Sequence, residues 1–192
     1  MMRRRDLLAG LAAAMLPLPV GAAEPDGYVL DWQGAPVDPA VAARYARQVA
    51  AVRALPIDAD ILAFFARQPL FVQPARGMPS LTGARGVFLT RDGFPDENPV
   101  LLHELCHRYQ GQRINPVAAK RQALDGFFSA ELAAPHWPRG SYLYENLNEF
   151  FAMIASCTLA GRTARPPYTR AAFRKAMPAL HDWIVAEFAF RG

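Results

Sequence analysis

Apolar residues in this chain recur mostly at helical spacing, and strand-like runs are few and short. Val41, Tyr45, Val49 and Val52 share one helical face after Asp38-Pro39, a capping acid followed by proline at a first helical position. A helix over 38–54 follows, stopped by Pro56. Asp58 caps a second predicted helix through Ile61, Leu62, Phe64 and Phe65. Residues 70–72 are a strand candidate, 77–83 a turn-rich loop, and 86–90 the clearest strand. The loop 91–99 leads into a helix over 98–112, with Gly111 near its end. Pro116 opens another helix, apolar at Val117, Ala118, Leu124, Phe127 and Phe128, and 134–140 reads as a loop. A long helix is expected over 141–160, closed by Gly161. A last one is capped by Thr169, runs to Phe190 and packs Phe173, Leu180, Trp183, Ile184 and Phe188. With a polar, partly extended lead-in over 24–36, the pattern predicts a mostly helical α+β domain with a small sheet, spanning 24–192.

The first 23 residues stand apart. A basic start, an apolar run over 7–16, prolines at 17 and 19 and Gly21-Ala22-Ala23 form the pattern of a cleavable export signal over 1–23. Arg4-Arg5-Asp6-Leu7-Leu8 resembles the bacterial twin-arginine motif, and the Sec route stays open, so a periplasmic or secreted protein is expected. Loss of Arg3, Arg4, Arg5 and Asp6 with the signal lowers the net charge from +4 to +2. No basic run then remains to suggest a nucleic-acid partner, and Arg162, Arg165, Arg170 and Arg174 read as a solvated face. No later segment is apolar enough to span a bilayer. Cys106 and Cys157 could form one disulfide in an oxidising compartment or remain as two buried thiols.

His103-Glu104-Leu105-Cys106-His107 carries the chemistry. Histidines four apart lie on one helical face, so both rings can reach one metal ion, and the intervening Glu104 can serve as general base. The chain has only four histidines. A chance match at this length and composition occurs on the order of once in a few hundred sequences, so the motif is read as functional. Pro99, Val100, Leu101, Leu102 and Leu105 make the two histidines polar exceptions on a helix that otherwise looks buried. Catalytic zinc commonly takes three protein ligands. Candidates for the third are His136, His181, Glu145, Glu149, Glu131 and Asp125. No histidine follows Gly111 at the metzincin spacing, and Cys106 is expected to point away from the ligand face.

Asn148-Glu149-Phe150-Phe151-Ala152 resembles the N-E-x-F-A segment of gluzincins, zinc metallopeptidases whose third ligand is a glutamate on a second helix. Tyr142, seven residues before Glu149, extends the likeness to the anthrax lethal factor and Pro-Pro endopeptidase group, over 55–159. The resemblance implies a zincin-like fold and one Zn2+ per chain, held by His103, His107 and Glu149. Glu104 would then be the general base, and Tyr142 would stabilise the oxyanion. Glu149 is favoured over Glu145 because both the segment and the tyrosine spacing select it. One departure is Met153, which stands where thermolysin-like gluzincins carry an aspartate that orients a zinc histidine. An exported endopeptidase acting on peptide or protein substrates is the function implied, with strand 86–90 beside the cleft as a substrate-aligning edge. An exported zinc-binding module without activity and a zinc amidase acting on cell-wall material are the alternatives. Oligomeric state and side-chain preference are not legible.

Overall fold

The computed structural model describes residues 27–165 and 167–192, so the expected export signal over 1–23 lies outside the described residues. The domain is α+β, with α-helices around a small four-stranded sheet. Helices α1 (Pro39–Arg53) and α2 (Ala59–Ala66) begin where the capping acids stand. The Asp38 carboxylate accepts from the Ala40 and Val41 amides, and that of Asp58 accepts from the Asp60 amide, each answering helical N–H groups that lack an intrahelical partner. Val41, Tyr45, Val49 and Val52 are buried together on α1, as their spacing requires.

The strands are β1 (Leu30–Asp31), β2 (Leu70–Val72), β3 (Leu81–Gly83) and β4 (Gly86–Leu89), in the order β1-β2-β4-β3. β1, β2 and β4 run parallel, and β3 is antiparallel to β4. The central strands bury Leu70, Val72, Val87 and Leu89. Gly86 is required at its place. Its φ is +152°, and a Cβ there would stand 2.4 Å from the Pro69 carbonyl oxygen, which accepts from the Val87 amide. The end of the expected loop 77–83 is thus strand β3. Its two-residue hairpin is Ala84-Arg85, without the Asn-Gly or Asp-Gly signal that marks such turns. Arg108 holds the hairpin instead, donating to the Gly83 carbonyl at 2.7 Å and to Gln68 Oε1 at 2.8 Å.

Helix α3 (Val100–Tyr109) runs on into a π-helical turn, Gln110–Ile114, and packs against α1, β3, β4 and α5 (Leu147–Ala160). Helix α4 (Ala118–Ala133) leads to a 3-10 turn, Tyr142–Tyr144, ahead of α5. The expected helix over 141–160 therefore starts late. Asn146 breaks it with extended backbone, and its side chain accepts from the Asn148 and Glu149 amides at 2.9 and 3.0 Å. The expected C-terminal helix is two, α6 (Arg170–Ala176) and α7 (Pro178–Glu187), because Pro178 has no N–H to continue the first and stands at the opening of the second. Phe173, Leu180, Ile184 and Phe188 still reach the core. No helix among the described residues is long and apolar enough to cross a membrane.

α3 has proline at its N-cap and no capping side chain of its own. Gln48 on α1 answers for it. Its Oε1 accepts from the Leu101 amide at 3.2 Å, and its Nε2 donates to the Asp96 and Asn98 carbonyls, both at 3.0 Å. Gln48 is buried, so Gln48→Leu strands those groups. It is predicted to lower the unfolding free energy by about 2 kcal/mol, read as an earlier midpoint in urea; an unmoved midpoint would refute this role.

Candidate metal centre

α3 presents His103 and His107 one turn apart, with ring centroids separated by 4.7 Å and planes at 85°. α5 packs on α3 and brings Glu149, in its first turn, against both rings. Glu149 Oε2 is 3.2 Å from His103 Nε2, and Oε1 is 3.4 Å from His107 Nε2. One donor atom from each of the three residues lies within 4.8 Å of the others, so this group could hold a metal ion. With its proton on Nε2, each imidazole donates to the carboxylate. In the other tautomer the same nitrogen offers a lone pair to the shared centre. Burial alone would raise the Glu149 pKa, but the hydrogen bonds and charges of His103 and His107 outweigh it and hold the carboxyl well below its usual range.

Two nitrogens and a carboxylate are a donor set suited to zinc. The surroundings fit in part. His103 Nδ1 is buried without a hydrogen-bond partner among the described residues. Met153, one turn beyond Glu149, is fully buried and offers the ring no carboxylate. Among the described residues, none supplies this histidine with the support that commonly fixes a ligating imidazole.

Glu104 follows His103 and is buried beside the triad. Desolvation raises its pKa, opposed by the two histidines and by a hydrogen bond from Thr82. The Thr82 hydroxyl lies 2.9 Å from Glu104 Oε2 and 3.0 Å from the Glu104 carbonyl oxygen, which ties strand β3 to the motif helix. Cys106 is buried away from the triad, and it and Cys157 are free thiols. Burial pushes the Cys106 thiol up and that of Cys157 to about 12, so neither is a ready thiolate.

Tyr142 enters the cleft from the 3-10 turn rather than from the face of α5 that its spacing suggested. Its phenol is pushed up first by burial and then by the Glu149 charge, so it stays a hydroxyl. The other candidate ligands are elsewhere. Glu145 and Asp125 are exposed, and His181 pairs with Asp182 at 3.1 Å. Glu131 is buried, and its carboxylate accepts from the Tyr144 hydroxyl at 2.6 Å, the His136 amide at 2.9 Å and His136 Nδ1 at 2.8 Å. That cluster closes the loop leading to Tyr142, a role with no signal in the linear pattern.

The centre floors an open cleft of ≈ 560 Å³. Strand β3, at the sheet edge, supplies one wall through Leu81 and Thr82, and Tyr142 and Arg165 supply another. The expected edge strand, 86–90, is not the edge: β4 is paired on both sides. Arg165 is exposed, as expected of a solvated face, and its guanidinium lies 3.8 Å from the Tyr142 ring centroid. Comparison of the chain with protein-family models, curated proteins and solved structures finds no match.

Tyr144→Phe removes a donor from the buried Glu131 carboxylate and the acceptor of the Trp137 amide. Chemical denaturation should show a loss of about 2 kcal/mol; full stability in the variant would mean that this cluster does not hold the loop.

Proposed function

We propose that the chain is an exported zinc-dependent endopeptidase of zincin-like, gluzincin-type architecture. The observation that carries the reading is the convergence of His103 Nε2, His107 Nε2 and the Glu149 carboxylate from two packed helices, with buried Glu104 beside them in an open cleft. His103, His107 and Glu149 would hold the ion. When bound, zinc supplies Lewis acidity, lowering the pKa of a water to about 7 and polarising a carbonyl oxygen.

The chain's own groups account for the rest of the reaction. Glu104, with a raised pKa, accepts the proton of the attacking water and returns it to the leaving amine. Thr82 orients that carboxylate through its hydroxyl. Tyr142, which stays protonated, offers an O–H donor to charge developing on the carbonyl oxygen. Among the described residues β3 has one unpaired edge beside the cleft, where an extended peptide can add by main-chain hydrogen bonds. An unpaired edge favours a polypeptide over other amides as the substrate.

The test is cleavage of a diverse peptide library, followed by mass spectrometry, with bound zinc measured in the same samples. Glu104→Gln is expected to keep zinc and to lose turnover by at least about a hundredfold; a full rate in that variant refutes the mechanism. Tyr142→Phe should keep zinc and lower kcat by about tenfold to a hundredfold, and unchanged kinetics would remove the tyrosine from the reaction. A wild-type protein that binds zinc yet cleaves nothing would favour the non-catalytic module, and release of cell-wall fragments without peptide cleavage would favour the amidase.

A further inference from the structure

Among the described residues Arg165 is the one strongly basic side chain lining the cleft. It lies in the loop between α5 and α6. The bridge between Arg162 and Thr169 closes that loop, and the Thr163 hydroxyl donates to the Arg165 carbonyl. Its guanidinium lies over the Tyr142 ring, a cation–π contact that holds it against the wall. The neighbouring arginines are engaged elsewhere: Arg162 faces Glu97 at 3.9 Å, and Arg170 donates to the Leu159 carbonyl at 3.0 Å. Among the described residues Arg165 makes no ion pair, although it is beside the ring whose hydroxyl neighbours Glu149. The cleft's polar lining also includes Asn115, Asn146 and Asn148, besides Glu104 and Glu149.

Arg165 is exposed at the cleft wall, so its guanidinium is open to a group entering the cleft. A guanidinium fork matches a carboxylate with two parallel N–H···O bonds. We propose that Arg165 recognises a carboxylate of the substrate, supplied by an acidic side chain or by a free C-terminus, and so sets the substrate class of this cleft. The proposal rests on reading the cleft as a peptide-binding site.

The test separates binding from hydrolysis. Zinc-loaded Glu104→Gln protein is immobilised and exposed to a random hexapeptide mixture, half of it C-terminally amidated, and the retained peptides are read by mass spectrometry. Carboxylate-bearing peptides should be enriched roughly fivefold over their amide counterparts. Enrichment of Asp and Glu within the amidated half assigns the contact to a side chain. Enrichment confined to the free-acid half assigns it to the terminus. Adding Arg165→Gln should abolish the preference, Arg165→Lys should weaken it, and Arg165→Glu should turn it toward basic peptides. The same selectivity with and without Arg165, or no retention of peptides at all, overturns the proposal. Carboxylate enrichment beside a wild-type protein that cleaves none of the same peptides would sink the peptidase reading while leaving the carboxylate site in place.

Discussion

Burying polar groups at the contact between α3 and α5 governs the rest of the molecule. α5 is buried from Phe150 to Leu159, and α3 buries Leu101, Leu102, Leu105 and Cys106 beside His103 and Glu104. Ionisable groups in such a contact are destabilising unless each finds a partner. Glu149 bridges the two imidazoles, and the Thr82 hydroxyl answers Glu104. Removing one member would leave the others buried and unpaired. The same mutual dependence points the donor atoms at a common centre, so packing and chemistry impose one constraint on the two helices.

The surrounding structure holds these helices in register. Gln48 supplies the cap that α3 lacks, and Arg108 fastens the β3–β4 hairpin to the same helix. Asn146 stops the 3-10 turn and starts α5 so that Glu149 falls in its first turn. The Glu131 cluster fixes the preceding loop, which lets Tyr142 reach the cleft although it is not on α5. The weak point is His103 Nδ1, buried without a hydrogen-bond partner among the described residues. A ligating imidazole without that support is less basic and less firmly oriented.

Much of this was legible from residue order. The capping acids Asp38 and Asp58, the apolar face of α1 and the histidine spacing act through neighbours in sequence, and they mark their elements directly. Glu149 was separable from Glu145 only by resemblance; in the structure Glu145 is exposed, whereas Glu149 faces both histidines. Long-range geometry was not legible. β3 pairs through a hairpin without turn residues of the usual kind, so in the sequence only 86–90 reads as an edge strand. Pro178 and Asn146 each divided an expected helix, because a single breaker outweighs an apolar rhythm that continues past it. Arg165 looked like one of several loop arginines, and only the return of its loop over Tyr142 distinguishes it.

Metal content tests the central claim most directly. Purified protein, reconstituted with zinc and freed of excess ion, would be assayed by elemental mass spectrometry beside Glu149→Ala. A three-ligand centre predicts about one zinc per chain in the wild type and a sharp loss in the variant. Zinc absent from the reconstituted wild type, or retained undiminished without Glu149, would contradict it.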